Sequence, residues 1–182
     1  MLGIMEKPDN MMTLDFKNEG DLIYMIGDSK NDIASSEYLY SYRKIKASPS
    51  PAFDLEEEKS LQEAVAQLIT SKVIESAHDL SDGGLFITLA ESAMHRQLGF
   101  SIKTDSTFRK DAFLFGEAQS RVLVSVSPAR QADFEVVMSN LSTKANFLGK
   151  VTKENFVIDS DTIMTCATAI DMFEKTLPAL MA

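Results

Sequence analysis

The chain has 182 residues, of which 45% are hydrophobic and 25% are charged, a composition that suits one globular domain with a core of its own. Its net charge of −9 and its scattered lysines and arginines argue against a nucleic-acid partner, because nucleic-acid binding depends on clustered cations. The sequence has no apolar run of about 18 residues that could span a membrane, and its single cysteine, Cys166, excludes an internal disulfide, so we expect a cytoplasmic protein.

The first predicted element is a β-hairpin over residues 13–27, where apolar side chains alternate on both sides of a polar turn. A short helix over residues 35–43 follows and ends before Pro49. The clearest helix then begins at Asp54, which forms a capping-box pattern with Glu57 and opens an acidic first turn.

The rest of the chain alternates short strands and helices. The predicted elements are a strand over 74–77, a helix over 83–95, a strand over 99–102, an irregular piece over 114–120, a strand over 121–126, a helix from Ser127 and Pro128 to about 141, a strand over 146–151, a hairpin over 156–166 and a helix from 168 to about Pro178. This mixture with several hairpins favours an α+β fold over a doubly wound sheet.

A first polar motif, Ala-His-Asp-Leu-Ser-Asp-Gly-Gly-Leu at residues 77–85, lies at a predicted strand-to-helix turn. A helix start exposes unpaired N–H groups that can hold an anion, and adjacent glycines let the backbone approach a ligand closely. Carboxylates at such a turn could also hold Mg²⁺ beside a phosphate. The candidate residues are His78, Asp79, Ser81, Asp82, Gly83 and Gly84.

The same residues have purely structural explanations. Asp79 could bond turn amides, and His78 could be a satisfied, buried polar group. Ser81 and Asp82 could cap the helix, while Gly83 and Gly84 could serve close packing of the helix against the strand. The residues alone do not decide between these alternatives.

Two further motifs carry candidate chemistry. Residues 115–121, Phe-Gly-Glu-Ala-Gln-Ser-Arg, combine an acid, an amide, a hydroxyl and a guanidinium in Glu117, Gln119, Ser120 and Arg121. This set could recognise a sugar phosphate or hold Mg²⁺ through Glu117, or Glu117 could instead pair with Arg121 or with His78. Residues 35–39, Ser-Ser-Glu-Tyr-Leu, could bind a partner or form part of an amphipathic helix.

Together, in this order, the three motifs resemble the C-terminal AIR-synthase-related domain of phosphoribosylformylglycinamidine synthase (FGAM synthase), synthetase subunit II type, over residues 14–173. The resemblance implies a layered fold with a mostly antiparallel sheet covered by helices. It also implies an ATP- and Mg²⁺-dependent ligase of purine synthesis that converts formylglycinamide ribonucleotide to its amidine with ammonia from glutamine. The chain departs from the family at Ala34 and Ser35, where a glycine often stands.

Carried over to this sequence, the resemblance implies a nucleotide- or substrate-binding set and two metal ligands, Asp79 and Glu117. The binding set is His78, Asp79, Ser81, Asp82, Gly83, Gly84, Gln119, Ser120 and Arg121. These roles belong to the first of two duplicated halves of the enzyme, and this chain resembles the second. No catalytic residue is expected in this domain.

The resemblance further implies that residues 1–182 are a single domain of a larger multidomain enzyme, with linker-like segments at 1–12 and 44–53. Its partners would be the remaining domains and a glutaminase subunit or domain that supplies ammonia, and the domain alone would be inactive. The alternatives are a related ligase or kinase of the superfamily, such as aminoimidazole ribonucleotide synthetase, selenophosphate synthetase or thiamine-monophosphate kinase, and a non-catalytic docking scaffold.

Overall fold

A computed structural model describes residues 7–181. The helices and strands are β1 (Leu22–Ile26), α1 (Leu55–Thr70), β2 (Ser76–Asp79), α2 (Gly84–Met94), β3 (Gly99–Ile102), α3 (Lys110–Phe115), β4 (Val122–Val126), α4 (Gln131–Ser139), β5 (Ala145–Thr152), β6 (Asn155–Ile158), β7 (Asp161–Thr165) and α5 (Cys166–Met181). Short 3-10 turns occupy Pro8–Asn10 and Pro128–Arg130, and a π-helical turn occupies Tyr38–Tyr42. None of these helices is long and apolar enough to cross a membrane.

The seven strands form one sheet in the order β2-β4-β1-β5-β3-β6-β7. Every neighbouring pair is antiparallel except β3 with β6, which pair in parallel. The prediction of an α+β fold with a mostly antiparallel sheet is therefore confirmed.

Helices cover both faces of the sheet, because successive side chains of a strand point to opposite faces. In β1, Ile23 and Met25 join a core with residues of α2, α3 and α5. Tyr24 and Ile26 join a second core with residues of α1 and α4. The strands at the centre of the sheet are thus buried on both sides.

The predicted capped helix is confirmed as α1. The Asp54 carboxylate accepts hydrogen bonds from the backbone N–H groups of Glu56 and Glu57. The helix buries Leu61 and Leu68 against the sheet, and this face forms one wall of the candidate site described below.

The predicted hairpin over residues 13–27 is wrong, because only its second arm, β1, is a strand. Both edges of β1 are occupied by β4 and β5, which leaves no edge for a hairpin partner. The first arm lies elsewhere: the Thr13 carbonyl accepts from the N–H of Ala77, and the N–H of Phe16 donates to the Ser92 carbonyl.

Three helix boundaries also differ from prediction. The segment 35–43 contains only the π-helical turn Tyr38–Tyr42, and the helix expected from Ser127 begins with a 3-10 turn and continues as α4 to Ser139. The last helix does not end near Pro178 but includes it and continues to Met181. Proline removes one helical hydrogen bond there, and the exposed helix accommodates that loss.

Candidate functional site

The two glycines between β2 and α2 pack the helix start directly against the second motif. Gly83 and Gly84 have φ angles of +83° and +63°, in the left-handed region that favours glycine. A Cβ atom at Gly84 would lie 2.6 Å from the Gly116 carbonyl oxygen and 2.9 Å from the Phe115 carbonyl carbon. Close packing between two stretches of backbone therefore accounts for Gly84 without a ligand.

Glu117 joins all three motifs. Its Oε1 atom accepts a hydrogen bond of 2.8 Å from the Gly83 N–H and another of 2.8 Å from the Glu37 N–H. Gly83 is the N-cap of α2, so a carboxylate from a distant segment accepts from an N–H group at the helix start. Ser81 and Asp82, which the sequence favours as caps, are exposed and form no side-chain hydrogen bond within residues 7–181.

Arg121 stabilises the loop of the second motif from within. Its side chain is buried and donates from Nε to the Ala118 carbonyl at 3.0 Å and from Nη2 to the Gly116 carbonyl at 2.7 Å. Burial lowers the pKa of the guanidinium to about 10, although the negative charge of Asp32 raises it. Arg121 therefore stays protonated at neutral pH. The alternative pairing of Arg121 with Glu117 is not formed in the described part of the chain, because each binds backbone groups instead.

Ser120 connects the same loop to α1. It has a φ of +65°, and its hydroxyl donates to Glu58 Oε2 at 2.8 Å. This contact brings the start of the long helix to the edge of the second motif. Sequence reasoning missed Glu58, because its only local signal is that of an acidic residue in the first turn of a helix.

These elements enclose an open cleft of about 750 Å³ between α1, the glycine turn and the second motif. The predicted site residues that line it are Asp79, Ser81, Asp82, Glu117, Gln119, Ser120 and Arg121. One wall is apolar and consists of Leu61, Val65 and Ile69 of α1. Glu58 and Gln62 of the same helix also line the cleft, and the sequence pattern did not indicate either of them as site residues.

His78 lies outside this cleft, although the next residue, Asp79, lines it. The His78 side chain is largely buried, and its Nε2 is 2.9 Å from Glu91 Oε2 of α2. Its Nδ1 is 3.6 Å from Asp79 Oδ1. The structure therefore does not bring His78 together with the other predicted site residues, but it does put its ring next to Asp79.

The cleft is acidic. Among the described residues, four carboxylates line it, from Glu58, Asp79, Asp82 and Glu117, whereas the one cation, Arg121, already donates to carbonyl groups. A polyphosphate would be repelled here unless a divalent cation entered with it.

The residues present could hold Mg²⁺ only if a bound phosphate and water supplied the rest of its ligands. No three His, Cys, Asp or Glu side chains among the described residues are grouped closely enough to hold a metal ion by themselves. Mg²⁺ commonly takes one or two protein carboxylates and completes its coordination with phosphate oxygens and water. The exposed Asp79 carboxylate suits that arrangement, as does the Glu117 oxygen that accepts no hydrogen bond within residues 7–181.

Comparison with known proteins places this fold in a family. A model of the AIR synthase related protein, C-terminal domain, matches residues 18–160. The chain belongs to this family.

Curated relatives of this AIR synthase related domain are FGAM synthase subunits. The subunit PurL of Caldanaerobacter subterraneus subsp. tengcongensis is 39% identical over 160 residues, which cover 87% of this chain and 22% of PurL. The PurL of Chlorobaculum tepidum is 37% identical over 161 residues, 85% of this chain and 21% of that protein. The resemblance inferred from the three motifs is thus confirmed, and the chain spans about a fifth of the length of these relatives.

Solved structures show the same fold at low sequence identity. PurL of Thermotoga maritima complexed with FGAR superimposes with a TM-score of 0.74 at 19% identity, over 89% of this chain and 30% of that one. The same protein complexed with ATP gives a TM-score of 0.66 at 18% identity, over 87% of this chain and 26% of that one. A HypE–HypF complex gives a TM-score of 0.57 at 19% identity, over 81% of this chain and 52% of the matched one.

Proposed function

We propose that this chain is the C-terminal AIR-synthase-related domain of an FGAM synthase, the ATP-dependent ligase that converts formylglycinamide ribonucleotide to its amidine. The observation that carries the proposal is the 39% identity to PurL over 87% of the chain. Solved PurL structures with FGAR and with ATP support the same reaction class. The chain works as one domain of a larger enzyme, together with the remaining domains and a glutaminase partner that supplies ammonia, in the cytoplasm.

Within that enzyme, the acidic cleft is the candidate nucleotide and sugar-phosphate site. Asp79 and Glu117 are the proposed Mg²⁺ ligands, with Mg²⁺ neutralising phosphate charge when it is bound. Ser81, Asp82, Gln119 and Ser120 line the same cleft and are the proposed polar contacts to the ligand. Gly83, Gly84 and Arg121 keep the cleft in shape through their backbone contacts, and His78 is not a contact to the ligand because it lies outside the cleft.

Calorimetric titration of the purified chain with ATP tests the cleft. We expect binding in the presence of Mg²⁺, loss of that binding with EDTA, and at least about tenfold weaker binding in Asp79→Asn. The matched control is Asp161→Asn, an exposed carboxylate of β7 that lies outside the cleft. No binding by the wild-type chain, or equal binding by both variants, would rule out the cleft as the nucleotide site.

The size of the native polypeptide tests the assignment to a multidomain ligase. An antibody against this chain should detect, in a lysate of the source cells, a polypeptide several times larger than 182 residues. FGAM formation should then occur with the whole enzyme and not with this chain alone. A native polypeptide of about 182 residues would contradict the multidomain assignment and point to separately encoded partner chains.

A docking scaffold is the second candidate, and α5 is the observation in its favour. Five large apolar side chains of this helix are at least 60% exposed: Met172, Phe173, Leu177, Leu180 and Met181. A surface of this kind suits contact with a neighbouring domain. Under this candidate, the ATP titration would give no heat while the chain still associates with the remaining domains.

A further inference from the structure

We propose that Glu117 is a clamp that holds residues 28–53, here called the strap, against the glycine turn at Gly83. This positioning role requires an acceptor oxygen at residue 117 but no negative charge. It does not depend on the proposed function, because both hydrogen bonds join groups of the protein itself.

The strap connects β1 to α1 and contains only one helical turn, Tyr38–Tyr42. Loops of this length with so little secondary structure are uncommon in folded domains and are often functional. Most of its residues are exposed, so it has little buried apolar surface to hold it in place. A small number of specific contacts must therefore fix its position.

The middle of the strap is fixed at the second motif. The Glu37 N–H donates to Glu117 Oε1, and the Tyr38 ring stacks on Phe115 with ring centroids 5.2 Å apart and an interplanar angle of 5°. The beginning of the strap is held separately, by an ion pair of Lys30 with Glu57 and by the Asn31 side chain, which accepts a hydrogen bond from the Arg109 N–H. The two residues that flank Gly116, Phe115 and Glu117, thus hold adjacent residues of the strap.

The same Glu117 oxygen also binds the glycine turn, next to the cleft residues Ser81 and Asp82. It accepts from the N–H of Gly83, which precedes the first turn of α2 and has no intrahelical partner for that group. Loss of this one oxygen would leave two N–H donors unpaired at once, one in the strap and one in the glycine turn. The position of the strap and the shape of the cleft are therefore coupled through a single side chain.

Two substitutions of Glu117 distinguish its role as a hydrogen-bond acceptor from any role of its negative charge. A glutamine at residue 117 still offers a carbonyl oxygen with two lone pairs, enough for two N–H donors, whereas an alanine offers none. A metal ligand would behave differently, because the neutral amide is a much poorer ligand for Mg²⁺ than a carboxylate. Glu117→Gln and Glu117→Ala thus distinguish the two roles.

Hydrogen exchange of the Glu37 and Gly83 amides, measured by NMR without nucleotide, tests the clamp. In Glu117→Ala, exchange of both amides should be at least about tenfold faster than in the wild type, while Glu117→Gln should stay within about threefold. Unchanged exchange in Glu117→Ala would overturn the proposal, and so would equally fast exchange in both variants. Failure of the ATP titration would leave this result untouched, so the two proposals can fail independently.

A second pair of variants covers the case in which Glu117→Ala does not fold. Glu37→Pro removes the N–H donor together with the carboxylate that accepts from Ser41, and proline suits the φ of −57° at this residue. Glu37→Ala also lacks the carboxylate but keeps the N–H donor, so it is the matched control. Exchange of the Tyr40 and Arg43 amides, which are hydrogen-bonded inside the strap, should be about tenfold faster with proline than with alanine. Equal exchange in the two variants would contradict the clamp.

Discussion

The backbone of Gly84 lies against the carbonyl group of Gly116, so closely that a Cβ atom at residue 84 would be 2.6 Å from that oxygen. The first and second motifs are therefore in contact through their main chains, and no side chain fits between them.

Gly84→Ala should consequently lower the free energy of unfolding by about 2–4 kcal/mol, because backbone atoms on both sides would have to move. The control is Gly20→Ala, at a φ of +92°, where no described atom beyond the two chain neighbours lies within 4 Å of the added Cβ, so that it should cost only about 1 kcal/mol of backbone strain. Urea unfolding of both variants measures the difference. Equal losses would mean that strain, and not contact with the second motif, explains the glycine.

Arg121→Met should destabilise the domain by about 2–4 kcal/mol, since it leaves the buried carbonyls of Ala118 and Gly116 without their donors. Arg121→Lys should recover only part of this loss, because an ammonium group cannot reproduce the planar fork of donors. Thermal and urea unfolding measure both variants. Arg43→Met, at an exposed position, serves as control and should change stability by less than about 0.5 kcal/mol.

Asp159 should make stability depend on pH in the acid range. Hydrogen bonds from Lys110 and Thr104 hold the pKa of its carboxyl at about 2, below the ordinary value of about 3.9 in an unfolded chain. A lowered pKa in the folded state stabilises the fold above the unfolded pKa, and this contribution is lost as the pH falls from about 4 to about 2. Asp159→Asn should therefore be less stable than the wild type at pH 6, and the difference should shrink towards pH 2.

Asp161→Asn provides the comparison for that experiment, since Asp161 lies in the same hairpin and is exposed. Unfolding in urea at a series of pH values gives both curves. If the gap between wild type and Asp159→Asn stays constant from pH 6 to pH 2, the hydrogen bonds do not favour the ionised carboxyl.

Cys166 should be inert towards thiol reagents in the folded protein. It is 1% exposed at the start of α5, and burial raises the pKa of its thiol, so the reactive thiolate is both inaccessible and scarce. Labelling with a chromogenic disulfide reagent should be slow in buffer and complete within minutes in denaturant. Fast labelling under native conditions would show that the end of the sheet and α5 open readily.

Sequence patterns predicted the elements whose signals are local. The strand Gly99–Ile102 and the helix capped by Asp54 follow from neighbouring residues alone. The predicted hairpin at residues 13–27 was wrong because strand pairing depends on residues far apart in the sequence. Both edges of β1 pair with distant strands, β4 and β5.

In the candidate site, too, the residues within local motifs were predicted and those brought in by distant contacts were not. The motifs indicated about half of the described residues that line the cleft, but not those of α1, such as Glu58, whose partner Ser120 is 62 residues away. Nor did they indicate that Glu117 would accept from the helix start in place of Ser81 and Asp82. The alternation of β2 explains why His78 leaves the cleft that Asp79 enters, because neighbouring side chains of a strand point to opposite faces.

The central position of β1 has a consequence for how the chain can be divided. This strand ends just before the strap, yet it lies between β4 and β5, which come from the second half of the chain. After a protease cut in the exposed strap, the first piece would still contain β1, and this strand would stay hydrogen-bonded to β4 and β5 in the middle of the sheet. The nicked molecule would stay together, and two separately made pieces, divided in the strap, could assemble into the complete domain.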